Sequence, residues 1–165
     1  MRGSRYGSSS CSVADNLYVF CGISNGKSLN TIEKLPIFAP SYEQLQQEWV
    51  LIPAANVAPS LSARSYPIAC PLSHTNILIL GGLHEERHLQ SDILVFNTET
   101  EKVNKIANDE QAKRIVLRSN HNAPYATLNS KIVVFAEGDQ HATHLIEYTF
   151  GEASVKKLQE IKIAY

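Results

Sequence analysis

The sequence has almost no excess of charge of either sign. Its 15 lysines and arginines are matched by 16 aspartates and glutamates, which gives a formal net charge of −1. Proteins that bind the phosphate backbone of a nucleic acid usually carry a clear excess of basic residues. No apolar run approaches the roughly 20 residues that a membrane-spanning helix needs, and the first eight residues lack the apolar core of a signal peptide. We therefore expect neither a nucleic acid nor a membrane as the partner.

Cysteine is also scarce. The three cysteines, Cys11, Cys21 and Cys70, are far apart in sequence, and an odd number without close pairing suits a reducing compartment better than a disulfide scaffold. Each lies in a predicted strand, where a thiol behaves as a small hydrophobic side chain. These features predict a cytoplasmic location.

Three short apolar runs of similar shape divide the chain. They occupy residues 17–22, 77–82 and 132–138, so that their starts are 60 and 55 residues apart. Each follows a short polar step typical of a turn. Runs of four to six β-branched or aromatic residues bounded by turn residues are typical of buried strands.

The residues around these runs repeat as well. A weakly polar strand precedes each run and two further strands follow it, giving three units over residues 5–58, 62–108 and 115–160. Arg5 and Arg64 stand 12 and 13 residues before the first two runs. Two roles are open for them: part of a basic ring at a channel mouth, or, as we favour, capping of strand carbonyls or pairing with acidic loops.

Four antiparallel strands form a small sheet that cannot bury its two apolar faces alone, so such units must stack face to face. Radial stacking of four-stranded sheets is the β-propeller. The predicted fold is all-β: a partial propeller of about three four-stranded antiparallel blades, forming one domain over residues 1–165. The glycines that end the runs are expected to adopt positive φ or to allow a close approach. The single Trp49 is expected to pack between neighbouring blades.

The first two units resemble the kelch repeat. That motif has a hydrophobic strand ending in Gly-Gly, then an aromatic residue in the third strand and a tryptophan in the fourth. Gly81-Gly82 keeps the glycine pair, Phe96 is the third-strand aromatic, and Trp49 is the fourth-strand tryptophan of the first unit. The resemblance covers residues 5–161 and is degenerate, since Cys21 replaces one glycine and valines replace tryptophan in two units.

The resemblance implies a non-catalytic scaffold or adaptor that binds another protein through loops on one face of the propeller. Loops tolerate variation while strands are committed to packing, and the loops between the second and third strands emerge on the same face in every unit. The side chains expected to contact a partner protein are Asn25, Lys27, His84, Glu86, Arg87, His88, Asp139 and His141. The alternative for each of them is an ordinary solvated hairpin tip.

Catalytic and metal-binding patterns are weak in this sequence. His84 and His88 are four residues apart, but in a hairpin loop they need not converge, and no metal-binding or nucleophile motif accompanies them. We predict no catalytic residue, no metal and no cofactor. Two alternatives stay open: a propeller enzyme or sugar-binding domain similar to galactose oxidases or sialidases, and a purely structural segment of a larger assembly.

Three blades are fewer than the four to eight of a closed propeller. Blade faces left unpaired at the two ends would expose more apolar surface than monomers usually tolerate. We therefore expect the missing blades to come from the rest of a longer chain or from another subunit.

Overall fold

The computed structural model describes residues 3–37, 48–58, 60–84, 88–90, 92–106, 125–128, 131–137, 142–149 and 154–162. The described residues form strands arranged in antiparallel sheets, with one four-residue helix. The predicted all-β class is confirmed.

The described residues of the first unit form six strands and the helix. They are β1 (Ser9–Val13), β2 (Asn16–Phe20), β3 (Ile23–Ser24), β4 (Lys27–Ser28), β5 (Ile32–Pro36), β6 (Val50–Leu51) and α1 (Ala54–Val57). The first sheet has the order β1-β2-β5-β6, and β3 and β4 form a separate hairpin between its second and third strands. The fourth strand is only two residues long, and Trp49, just before it, is half-buried.

The second unit follows the same plan, and the described part of the third repeats its four-stranded sheet. The strands of the second unit are β7 (Ile68–Pro71), β8 (Asn76–Leu80), β9 (Leu83–His84), β10 (His88–Leu89), β11 (Ile93–Asn97) and β12 (Lys102–Lys105). Here the sheet is formed by β7, β8, β11 and β12, and β9 and β10 form the hairpin. The third sheet contains β13 (Tyr125–Leu128), β14 (Lys131–Glu137), β15 (Ala142–Thr149) and β16 (Ser154–Lys162) in sequence order.

The first and second sheets pack against each other through one hydrophobic core. Successive side chains of a strand point to opposite faces, and the first sheet contributes the face that carries Cys11, Tyr18, Phe20 and Ile32, which we call its inner face. The second sheet contributes what we call its near face, whose core residues are Ala69, Ile77, Ile79, Leu94, Phe96 and Val103.

Aromatic rings stand at the centre of this core. The ring centroid of Phe96 lies 5.5 Å from the ring centroid of Tyr18 and 5.9 Å from that of Phe20. Both pairs have edge-to-face geometry. Such pairs contribute roughly 0.5–1.5 kcal/mol beyond their area burial. The third-strand aromatic of the second unit is therefore covered by the second strand of the first unit.

The second strand of the second unit is buried on both of its faces. Ile77 and Ile79 belong to the near face, and Leu78 and Leu80 on the opposite face are also at most 2% exposed. This burial explains why the sequence of β8 is a continuous apolar run and not an alternating pattern. The prediction of a buried strand over this apolar run is confirmed here.

The same backbone turn follows β2 and β8. Cys21 and Gly81 both have φ +59°, and the glycines after them, Gly22 and Gly82, have φ +100° and +99°. A Cβ on Gly82 would lie 2.9 Å from the carbonyl oxygen of Ser65, and one on Gly22 would lie 2.9 Å from the carbonyl oxygen of Tyr6. Both expected reasons for glycine, positive φ and close approach, apply at these two positions.

We expect Gly82→Ala to destabilise the protein more than Gly26→Ala. Both glycines have positive φ, a conformation that costs about 1–3 kcal/mol for other residues, but a Cβ at Gly26 meets no described atom within 4 Å. The overlap with Ser65 adds to the cost at Gly82 only. Urea denaturation measures the difference, and equal losses in the two variants would show that the close approach is unimportant.

Candidate interaction face

The hairpin of the first unit has a two-residue turn formed by Asn25 and Gly26. Their φ values of +50° and +74° are those of the turn whose twist matches the flanking strands, and Asn-Gly is its preferred sequence. Asn25, Gly26 and Lys27 are all exposed. The short hairpin thus exposes the amide group of Asn25 and the ammonium group of Lys27 to solvent.

The hairpin of the second unit occupies the equivalent place between β8 and β11. His84 is paired with His88 and Leu83 with Leu89 along the backbone, and the side chain of His84 is half-buried. In each of these two units the hairpin connects the second and third strands of the sheet, so the two hairpins lie at the same end of their sheets.

Backbone hydrogen bonds join the two hairpins into one ribbon, which we call the hairpin ribbon. Tyr6 and Ile23 exchange hydrogen bonds of 3.1 and 2.8 Å, and Arg64 N–H donates to the Leu29 carbonyl at 2.9 Å. Ser65 then exchanges hydrogen bonds of 2.8 and 2.7 Å with Leu83. The ribbon therefore runs from Tyr6 through both hairpins, and the segment Arg64-Ser65 is its central link.

The side chain of Arg64 anchors this link to the second sheet. Its two terminal nitrogens donate to the two carboxylate oxygens of Asp92 at 2.6 and 2.8 Å, and one of them also donates to the Gly81 carbonyl at 3.0 Å. The Nε atom and a terminal nitrogen bind the carbonyl and hydroxyl oxygens of Ser62. Arg64 is fully buried, and a paired, multiply hydrogen-bonded guanidinium is the form in which such burial is tolerated.

Arg5 holds the corresponding place in the first unit. It donates to the Cys21 carbonyl at 3.2 Å, to the Thr31 hydroxyl at 3.1 Å and to the Glu33 carboxylate. Glu33 is only 1% exposed. The favoured expectation is confirmed for carbonyl capping, since each arginine donates to the carbonyl that directly follows a second strand. Asp92 lies in a loop, as expected, whereas Glu33 lies within β5. Each guanidinium is paired with a carboxylate.

The structure places some of the predicted contact residues together. Asn25, Lys27 and His84 lie on the hairpin ribbon, and the backbone of His88 continues it. Outside the described residues lie Glu86, Arg87, Asp139 and His141.

Sequence reasoning missed Tyr6 as a candidate contact residue. Tyr6 is 59% exposed although it is held in the ribbon by its backbone pair with Ile23. Exposed tyrosines are enriched in protein interfaces. The sequence offered one signal for Tyr6: it directly follows Arg5, whereas Ser65 follows the equivalent Arg64 in the second unit.

The three cysteines are free thiols and are buried. Burial raises the pKa of Cys11 and of Cys21 to about 12, and it also raises the pKa of Cys70. Neutral buried thiols fill space in the core and are poor nucleophiles. Over the described part of the chain, no three His, Cys, Asp or Glu side chains gather closely enough to hold a metal ion.

Comparison with known proteins gives no family assignment, since the chain matches no protein-family model and no curated protein. In the described residues, no helix combines the length and the apolar character that crossing a membrane requires.

We expect loss of the Arg64–Asp92 pair to cost far more stability than loss of the Lys34–Glu101 pair. Arg64→Met leaves a largely buried carboxylate and the Gly81 carbonyl without their donor, and breaking a buried pair costs about 3–5 kcal/mol. Lys34 and Glu101 are each about a quarter exposed, and such pairs contribute about 0–1 kcal/mol. Urea denaturation of Arg64→Met and Lys34→Met gives the comparison, and similar losses would contradict the anchoring role of Arg64.

We expect all three thiols to resist a thiol reagent at pH 8 in the folded protein and to react in denaturant. Their raised pKa values keep them protonated in the fold, while thiols of the unfolded chain ionise from about pH 8.5. The unfolded state therefore binds fewer protons at alkaline pH, and the free energy of unfolding falls as the pH rises from about 9 towards 12. Labelling with a chromogenic disulfide reagent and denaturation at pH 7 and 10 measure both effects; rapid labelling of the folded chain would contradict this account.

Proposed function

We propose that this chain is a segment of a kelch-type β-propeller and acts as a non-catalytic scaffold or adaptor in the cytoplasm. Its partner is another protein, which binds at the end of the sheets that carries the hairpin ribbon. The contact residues are Tyr6 and the predicted side chains Asn25, Lys27, His84, Glu86, Arg87, His88, Asp139 and His141.

The observation that carries the proposal is the hairpin ribbon itself. Backbone hydrogen bonds and the buried Arg64 fix its path, while Tyr6, Asn25 and Lys27 on it remain exposed. Contact residues on a fixed support lose little conformational freedom on binding, which favours affinity.

The chemistry of the exposed side chains favours a protein as the partner. Tyr6 offers a large amphipathic ring, Asn25 offers an amide that donates and accepts, and Lys27 offers a single positive charge. Aromatic anchors beside polar side chains are the usual composition of protein interfaces. A nucleic-acid partner would call for a denser basic surface than a chain of net charge −1 supplies.

Site-specific photo-crosslinking tests the proposal. A photoreactive amino acid at Lys27 or Tyr6 should crosslink to a partner protein in cells, because both positions lie on the ribbon. The same amino acid at Asp15 or Glu99 is the matched control, since these exposed residues lie in turns that follow first and third strands, at the opposite end of the sheets.

The crosslinked protein is then identified and purified, and its affinity is measured against variants of this chain. We expect Tyr6→Ala to weaken binding by about 2 kcal/mol, or roughly 30-fold, as for an aromatic anchor, and Asn25→Ala with Lys27→Ala to weaken it less. Asp15→Ala should leave it unchanged. Equal crosslinking from both ends of the sheets, or a Kd unaffected by Tyr6→Ala, would refute the proposed face.

A further inference from the structure

Asn25 is the only asparagine of this chain that is followed by glycine. Asparagine is among the residues that change chemically with time and heat. It does so when the backbone nitrogen of the next residue attacks the carbonyl carbon of its side chain, and a glycine leaves that nitrogen least obstructed. Asn25, Gly26 and Lys27 are all exposed, so water and hydroxide reach this peptide bond.

The space around this peptide bond is open. No described atom lies within 4 Å of a Cβ built on Gly26. The backbone pairs Ser24 with Lys27 and Ile23 with Ser28, which leaves the N–H of Gly26 in the turn and outside the ladder of the hairpin. The attacking nitrogen is therefore not held by a ladder hydrogen bond.

Asn25 already has part of the backbone conformation that ring closure requires. The first central residue of a type II′ turn combines φ of about +60° with ψ of about −120°. This ψ places the side chain of that residue beside the nitrogen of the next one, as closure of a five-membered ring demands. Asn25 has φ +50°, so only its ψ must change.

A flip of the peptide between Asn25 and Gly26 supplies the missing part. The flip converts the observed turn into type II′ and reverses the sign of φ at Gly26, which is +74° here. Glycine accepts either sign about equally. Both turn types join two strands through two residues, so the ring can close while β3 and β4 stay paired.

Two other asparagines of the first unit lack this combination. Asn16 follows a turn whose central residues, Ala14 and Asp15, also have positive φ. Its side-chain amide donates to the Ala14 carbonyl at 2.7 Å, however, and a leucine follows it. Asn30 is exposed, but the β-branched Thr31 comes next and crowds the nitrogen.

We propose that Asn25 is a site of spontaneous deamidation in the folded protein. The Gly26 nitrogen loses its proton to hydroxide and forms a bond to the side-chain carbonyl carbon of Asn25. The side-chain nitrogen takes up a proton from water and leaves as ammonia. Water then hydrolyses the cyclic imide at either of its two carbonyl carbons. Opening at the side-chain carbonyl gives aspartate, and opening at the main-chain carbonyl gives isoaspartate, whose backbone runs through the side-chain carbon atoms.

Both products change the hairpin ribbon. Each places a carboxylate close to Lys27 and offsets its positive charge. Asp-Gly is itself a preferred sequence for this turn, so the aspartate form keeps the hairpin. Isoaspartate adds one carbon atom to the backbone between Ser24 and Lys27, which no longer fits a two-residue turn. The reaction needs no partner protein and takes place whether or not the hairpin ribbon binds one.

Ageing of the purified protein tests the proposal. After several weeks at pH 8, we expect a more acidic form on anion-exchange chromatography, with the mass gain of an amino group replaced by a hydroxyl. Peptide mapping should place the gain at Asn25 and leave Asn16 and Asn30 unchanged. A protease that cleaves before aspartate should leave the isoaspartate part of the product uncut. The rate should rise about tenfold from pH 7 to pH 8, because hydroxide forms the reactive nitrogen anion.

Asn25→Gly is the matched control. Gly-Gly also suits this turn and has no side-chain amide, so the variant should age without forming the acidic product at this position. The same protein in urea gives the rate of the unfolded chain. We expect the folded protein to react no more than about tenfold more slowly, which corresponds to about 1.4 kcal/mol for the turn flip.

Three results overturn the proposal: an unchanged mass at Asn25, reaction in urea only, or aspartate formed without isoaspartate. The last would indicate direct hydrolysis of the side-chain amide in place of ring closure. Equal modification at Asn16 or Asn30 would contradict the role of Gly26 and its turn.

Discussion

The candidate interaction face depends on Arg64 more than on any of the residues exposed there. Its N–H and carbonyl groups bind Leu29 and Gly22 of the first unit, while its guanidinium binds the Asp92 carboxylate and the Gly81 carbonyl of the second. Only a planar guanidinium offers five fixed donors to several acceptors at once. Since the residue is fully buried, salt screens these contacts much less than surface ones. One side chain thus determines how the first hairpin is placed relative to the second sheet.

The first unit reaches the same arrangement with different residues. Thr31 occupies the position in the first unit that Asp92 occupies in the second. Each residue directly precedes the first isoleucine of the third strand, which pairs with the last residue of the second strand. The missing carboxylate comes from Glu33, two residues further along, and so from the same side of β5. Cys21 has the same φ of +59° as Gly81, although positive φ is unfavourable for residues that carry a Cβ atom. The repeat is therefore closer in backbone geometry and hydrogen bonding than in sequence.

The sequence was sufficient to predict the all-β class, the strand order within each sheet, the two glycine turns and the role of the arginines. These features depend on local patterns: apolar runs, turn residues and a fixed spacing. The partners of Arg5 and Arg64 could not be predicted, because Glu33 and Asp92 are separated from them by 28 residues and do not occupy equivalent positions. The link from Leu29 through Arg64-Ser65 to Leu83 consists of backbone hydrogen bonds. Any residue type except proline can form such bonds, so the sequence does not indicate them. Tyr6 was missed for the same reason, since its exposure depends on how the chain before β1 pairs with β3.

Sheet packing and the exposed hairpin tip use different surfaces of the first unit, and this separation has a physical basis. The faces of a sheet must be covered by another face, so residues such as Tyr18, Phe20 and Phe96 are constrained by shape on both sides. The hairpin tips are constrained only by their backbone: no described atom lies within 4 Å of a Cβ at Gly26, and Asn25 and Lys27 point into solvent. Side chains at the tips can therefore differ between units, as Asn25 and Lys27 differ from the residues around His84, at little cost in stability.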